Sequence, residues 1–263
     1  MASTRKIFIG GNHKCNGTLA SASGLASSLA TTPLPGLDVM IAPPAVYAMS
    51  CAAILASGSS GATVGMQDVC PVVTGGAYTG TVCVGMAGDV GASWVIVGHS
   101  ERRHVFHESA EHTGGKIAAV LSAPPLGLVY CVGETLEERE GGDPFAVVAA
   151  QMESLFAAIP DGQDEVWDRV VVAYEPVWAI GTGKVASADQ AQEIHAAIRA
   201  LIADRVSQAV ADKVRIIYGG SVKIGNCVDL IAPADIDGFL IGGASLTSQF
   251  IDIINATAEA AGL

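Results

Sequence analysis

The residues of this chain that could act together on a small anion stand at the ends of short β-branched runs. Glu175 follows the run 170–173, and His99 follows 94–97. Gly219-Gly220-Ser221 follows 215–218, and Gly242-Gly243 follows 238–241 just before a helical segment. Asn12, Gln67 and Glu134 close three further runs. A positioned carboxylate can take a proton, and an imidazole can donate to a carbonyl oxygen. Glycine lets backbone N–H groups approach an anion closely, and a helix N-terminus adds positive potential there. Together these types suit proton transfer within a small phosphorylated molecule. The competing accounts are tight turns alone for the glycine pairs and a solvated or salt-bridged carboxylate for Glu175.

Such residues act together only if the chain brings the run ends to one place. Eight runs recur, at 6–10, 38–41, 63–66, 94–97, 128–131, 170–173, 215–218 and 238–241. Ala-rich helical segments separate them, most clearly at 18–31, 45–57, 107–122, 146–158, 188–209 and 246–258, with shorter ones after the third and seventh runs. Nearly continuous apolar strands alternating with helices imply a parallel sheet covered on its outer face. Eight such units fit an α/β closed barrel, whose strand C-termini converge on one mouth and whose last two loops commonly bind phosphate. An open doubly wound sheet is the alternative, and it leaves two exposed edges. With no linker in 263 residues, one catalytic domain spanning 1–263 is expected; the acidic or Gly-rich stretches 137–144 and 160–168 read as loops.

Composition narrows the partners. Lys and Arg number 14 against 26 Asp and Glu, a net charge of −12. That disfavours nucleic acid and anionic membranes, and a small anion then needs local positive charge. The apolar stretch 117–133 is broken by Pro124-Pro125 and Gly127, so no membrane span is expected. The N-terminus enters Ile7-Phe8-Ile9 with no signal-like apolar region before it, and Cys15, Cys51, Cys70, Cys83, Cys131 and Cys227 form no CxxC pair. Reduced thiols and a cytoplasmic location follow as expectations. His104, His107 and His112 suit a helix surface as well as a metal site, and no cysteine–carboxylate set completes such a site. Neither metal nor cofactor is expected.

Along nearly its whole length the chain resembles the triosephosphate isomerases. The resemblance rests on Gly10-Gly11-Asn12-His13-Lys14-Cys15-Asn16-Gly17, Ala42-Pro43-Pro44, Gly76-Ala77-Tyr78-Thr79-Gly80 and the stretch from Trp94 through Gly98-His99-Ser100-Glu101-Arg102-Arg103. It continues in Cys131-Val132-Gly133-Glu134, Tyr174-Glu175-Pro176-Val177-Trp178-Ala179-Ile180-Gly181-Thr182-Gly183-Lys184, Tyr218-Gly219-Gly220-Ser221-Val222 and the stretch from Asp237 to Leu246. The resemblance implies a TIM barrel and an aldose–ketose isomerase of glycolysis and gluconeogenesis. It would interconvert dihydroxyacetone phosphate and glyceraldehyde 3-phosphate through an enediol.

The same resemblance assigns roles. Glu175 becomes the base, made more basic by a dry site, and His99 a neutral electrophile at the start of a helix. Lys14 becomes the cation beside the substrate, Asn12 a neighbouring donor, and Glu101 a supporting residue. Gly181, Ser221, Gly242 and Gly243 become phosphate contacts. Pro176, Val177, Trp178, Ala179, Ile180, Gly181, Thr182, Gly183 and Lys184 become a lid that excludes water. An arm at 74–80 implies an obligate homodimer, with Thr79 reaching toward the neighbour's site and Cys15 and Asp68 at the interface. Here His13 stands in place of the family's usual Trp, Cys15 where Met is common, and Asp68 in place of Asn. Burial of Asp68 in an interface would raise its pKa, so Asp68→Asn is expected to tighten the dimer. Two rival readings remain, another phosphosugar barrel enzyme and a silent binding protein; the lid motif counts against the first and the intact Asn12, Lys14, His99 and Glu175 against the second. Stoichiometric thiol labelling of Cys15 is expected to disrupt the dimer and abolish activity; a fully labelled, fully active protein would contradict that.

Overall fold

The computed structural model describes residues 5–180 and 186–263. Eight parallel strands form a closed barrel in sequence order: β1 (Ile7–Asn12), β2 (Leu37–Ala42), β3 (Thr63–Met66), β4 (Ala92–Val97), β5 (Gly127–Val132), β6 (Val170–Tyr174), β7 (Arg215–Tyr218) and β8 (Gly238–Ile241). Ladder pairs Phe8–Gly238 through Gly11–Ile241 close the ring. The open-sheet alternative is therefore ruled out.

Strand side chains alternate between two faces. Phe8, Met40, Ile96, Val129, Val171, Ile217 and Leu240 fill the barrel interior. Ile7, Ile9, Val39, Val95, Val172 and Ile216 face the surrounding helices. Both faces are buried, which is why the strands read as continuous apolar runs. At the N-terminal end of the barrel, the Arg215 guanidinium lies 5.3 Å from the ring centroids of both Phe8 and Trp94 and pairs with Asp38 at 2.5 Å.

The outer layer is α1 (Leu19–Ala30), α2 (Ala45–Ala56), α3 (Val84–Asp89), α4 (Ser100–His104), α5 (Ala110–Leu121), α6 (Leu136–Gly141), α7 (Pro144–Ala158), α8 (Ala188–Arg205), α9 (Gln208–Lys213), α10 (Cys227–Ile231) and α11 (Gln249–Ala260). Three expected boundaries shift for local reasons. Helix 107–122 begins only at Ala110, because His107 takes a left-handed φ of 54° and Ser109 caps the His112 N–H. Segment 188–209 splits into α8 and α9, where Ser207 starts a new helix by accepting from Val210 N. The stretch 137–144, expected as loop, holds α6, opened by a reciprocal capping box between Thr135 and Glu138.

The base of the barrel is tied by charge. Arg199 on α8 donates to Asp235 at 2.6 Å and to Asp237 at 2.7 Å, and Asp237 also accepts from Ile216 N on β7. His195, one turn before Arg199, is fully buried, with Nδ1 3.1 Å from the Asp235 carbonyl. Burial lowers its pKa from 6.5 to about 4, and burial does the same to His13. A histidine whose folded pKa lies below its unfolded pKa keeps its stability contribution above the unfolded value and loses it as pH falls toward the folded one. The unfolding free energy should therefore fall by about 2 kcal/mol per such histidine between pH 7 and pH 5. Denaturant titrations at both pH values test this: His195→Gln should show a shallower decline than the parent, and an identical decline would contradict it.

Candidate active site

The C-terminal ends of β1, β4, β6, β7 and β8 open into one cavity of about 500 Å³. Asn12, Lys14, His99, Glu175, Ser221, Gly242 and Gly243 all line it, with Asn16, Ile180, Lys223, Thr247 and Gln249 at its edge. Another cavity, of about 520 Å³ and lined by Arg5, Asp237 and Leu263, lies at the other end of the barrel and meets none of these residues.

Glu175 directly follows β6 and is almost wholly buried. Its Oε1 lies 2.9 Å from His99 Nε2, and its Oε2 accepts from Ser100 N at 2.9 Å. His99 is the N-cap of α4, and its Nδ1 accepts from Glu101 N at 3.2 Å. With Nδ1 used as an acceptor, the ring proton resides on Nε2 and points at Glu175. Burial pushes the Glu175 pKa up, but His99 and the Ser100 N–H outweigh it, and the net shift is downward. The expected gain in basicity is thus absent in this arrangement, because both carboxylate oxygens already accept hydrogen bonds. Burial likewise opposes charge on His99, and the adjacent Glu175 reverses the balance and raises the ring's pKa. A second proton would have to displace Glu101 N–H from Nδ1.

Two glycines make room for Glu175, one for its backbone and one for its side chain. A Cβ on Gly133 would meet the Glu175 carbonyl oxygen at 1.7 Å, and one on Gly219 would meet Glu175 Cγ at 2.9 Å. Gly133 carried no site role in the sequence reading, since only the approach of β5 to β6 reveals its duty.

Lys14 sits in a left-handed turn with φ 50°, a conformation that costs a non-glycine residue about 1–2 kcal/mol. Asn12 Oδ1 accepts from Lys14 N at 2.9 Å. From the other side, Gln67 Nε2 donates to the carbonyls of Lys14 and Ala42, both at 2.9 Å. The turn delivers Lys14 Nζ to Glu101 Oε1 at 2.7 Å and lays its Cε 3.5 Å from where a Gly242 Cβ would stand. Glu101 thus touches both polar groups of the site: its backbone N–H meets His99 and its carboxylate meets Lys14.

The segment Pro176–Ile180, where the expected lid would begin, is anchored by Glu134, fully buried beyond β5. Its Oε1 accepts from Trp178 Nε1 at 2.9 Å, from the Tyr174 hydroxyl at 3.0 Å and from Arg139 at 2.9 Å. Pro176 leads into a 3₁₀ turn, Val177–Ala179, followed by Ile180. Gly181, Thr182, Gly183 and Lys184 fall outside the described residues. The sequence placed Glu134 at a strand end without giving it this role.

The residues expected at an interface differ in setting. Cys15 and the whole arm 74–80, Thr79 included, are exposed on the single chain. The arm is pinned at its base by Cys70 N to Val82 O at 2.8 Å and Gly85 N to Val73 O at 2.8 Å. Asp68 instead meets partners in its own chain: Lys116 Nζ lies 2.7 Å from both its oxygens, and Arg102 Nε lies 3.2 Å away. Glu108 shares Arg102 and Lys116. Burial within its own chain, not in an interface, raises the Asp68 pKa, with Lys116 pulling the other way. Removing its charge would relieve that burial and also cost two ion pairs, so tightening by Asp68→Asn no longer follows. His104, His107 and His112 are all exposed.

The Lys14 turn generates a prediction. Gln67→Leu keeps the bulk but strips the Lys14 carbonyl of its donor, a loss of about 1–3 kcal/mol for a group left unpaired, while the Ala42 carbonyl keeps His13 N at 3.1 Å. Turnover should drop roughly 10-fold as Lys14 loses its fixed place. Unchanged kcat in a folded Gln67→Leu protein would show that the turn holds without it.

Comparison with known proteins agrees with this geometry. The sequence model of the triosephosphate isomerase family matches residues 7–257. The chain is 48% identical over 258 residues to a chloroplastic triosephosphate isomerase of Arabidopsis thaliana, covering 97% of this chain and 79% of that protein. A chloroplastic triosephosphate isomerase of Fragaria ananassa matches at 48% identity with the same coverage. These relatives are chloroplastic, which overturns the cytoplasmic location expected from cysteine usage and the N-terminus. The closed eight-stranded barrel, the mouth it builds and a family match over nearly all of the chain place this protein in the triosephosphate isomerase family.

Proposed function

We propose that this barrel interconverts dihydroxyacetone phosphate and glyceraldehyde 3-phosphate through an enediol, and that Glu175, His99, Lys14 and Asn12 carry the chemistry. The observation behind the assignment is the convergence of Glu175, His99 and Lys14 on the cavity that Ser221, Gly242 and Gly243 also line. Substrate phosphate rests on the backbone of those loops together with Gly181, and its carbonyl faces His99 and Lys14. The carbonyl then competes for the His99 Nε2–H, and Glu175 is released toward the adjacent C–H. Glu175 takes that proton and returns it to the neighbouring carbon, while His99 gives its Nε2 proton to the carbonyl oxygen and Nε2 then takes the proton of the adjoining hydroxyl, the Lys14 ammonium stabilising the oxyanion character that develops in between. Once Glu175 leaves, burial, the Lys14 charge and the helix N-terminus favour neutral His99 against the Glu101 carboxylate. Triosephosphate isomerase is itself the standard example of this division between a carboxylate base and a neutral imidazole. Asn12 and Glu101 hold Lys14 in place, and the lid from Pro176 to Lys184 excludes water from the enediol.

One catalytic domain spanning 1–263 accounts for the architecture, since a single ring takes strands from Ile7 to Ile241. The working unit is a homodimer with Cys15, Asp68 and Thr79 near the interface. Large apolar side chains left exposed on the single chain support this reading: Val46, Met49, Tyr78 and Met86. Among the described residues, no helix is long and apolar enough to cross a membrane.

A coupled assay with glyceraldehyde 3-phosphate tests the reaction. Glu175→Asp withdraws the base by roughly 1 Å and should cut kcat at least ~10²-fold while KM changes little. A near-normal kcat would remove Glu175 from the role of base.

A further inference from the structure

The cavity presents little net positive charge to an incoming phosphate dianion. The Lys14 ammonium is shared with Glu101 at 2.7 Å, and Glu175 adds a carboxylate to the walls. The surrounding chain carries −12, so the long-range field repels an approaching anion. Among the described residues that line the cavity, one other cation is present, Lys223. It is exposed, and no described carboxylate pairs with it.

Its place is fixed relative to the phosphate cradle. Asn226 bridges the loop, donating Nδ2 to Ser221 O at 3.0 Å and accepting Lys223 N on Oδ1 at 2.7 Å. The Lys223 carbonyl in turn accepts from Asn226 N at 3.1 Å and Cys227 N at 3.0 Å at the start of α10. The lysine therefore projects from a pinned loop, two residues beyond Ser221.

We propose that Lys223 is a substrate-steering residue, which draws the phosphate of the incoming triose to the Ser221 and Gly242-Gly243 backbone without acting on the reacting carbons. The proposal rests on the isomerase reading of the site. It assigns to Lys223 a share of kcat/KM and no share of the proton transfer. A single unscreened charge at a cavity rim alters encounter with a dianion by a modest factor that salt removes.

The test compares Lys223→Gln with the parent and with Lys213→Gln. The latter removes the same charge from the C-terminal end of α9, immediately before the N-terminal end of β7, where Lys213 pairs with Asp168. At low ionic strength, Lys223→Gln should lower kcat/KM for glyceraldehyde 3-phosphate roughly 3- to 10-fold. Its kcat should stay within about two-fold, and turnover of unphosphorylated glyceraldehyde should not change, as for a group that meets only the phosphate. Raising the salt should shrink the difference, Lys223→Arg should restore the parent value, and Lys213→Gln should behave as the parent. An equal kcat/KM at low salt, or an equal loss with glyceraldehyde, would overturn the proposal. A parent protein inactive on triose phosphates would overturn the isomerase reading instead. A ³¹P titration of inorganic phosphate would then decide for Lys223: weaker binding in Lys223→Gln supports it, and equal binding rejects it.

Discussion

The Glu175 carboxylate is gripped between His99 Nε2 and Ser100 N, and the rest of the site is built around that grip. It exists because α4 begins immediately after His99, so that the helix presents Ser100 N–H to Glu175 and Glu101 N–H to Nδ1. One helix start therefore fixes the tautomer of the imidazole, aims its proton at Glu175 and holds that carboxylate by its second oxygen. The grip lowers the affinity of Glu175 for a proton. In the proposed reaction substrate breaks this grip before Glu175 acts, which ties proton transfer to occupancy of the site.

A second constraint brings charge to the same place. Lys14 reaches the cavity only through a left-handed turn, and Asn12 and Gln67 hold that turn from both sides. Glu101 joins the two halves, since it contacts His99 by its backbone and Lys14 by its side chain. Glu175, His99, Glu101, Lys14 and Asn12, the groups of the proposed reaction, form one connected set of hydrogen bonds. Outside this set, Glu134 fixes Tyr174 and Trp178 together and so ties β6 to the 3₁₀ turn that follows Glu175.

Much of this was legible from the residues alone. Strands buried on both faces read as apolar runs, and the polar residues at their ends marked the mouth. The features that escaped depend on partners distant in sequence. Gln67 supports Lys14 across 53 residues, and Lys116 meets Asp68 across 48. Helix breaks escaped too, since the left-handed His107 and the new cap at Ser207 leave the apolar pattern unbroken. Cysteine usage reports redox chemistry rather than compartment, and it misplaced a chain whose named relatives are chloroplastic.

The claim that substrate releases Glu175 from His99 is tested most directly by a crystal structure with a planar enediolate mimic bound. The account predicts that Glu175 leaves His99 Nε2 and Ser100 N and lies against the mimic's carbons. His99 Nε2 should then meet an oxygen of the mimic, and the Glu101 N–H to Nδ1 bond should persist. A filled site in which Glu175 still rests on His99 and Ser100 would contradict the account.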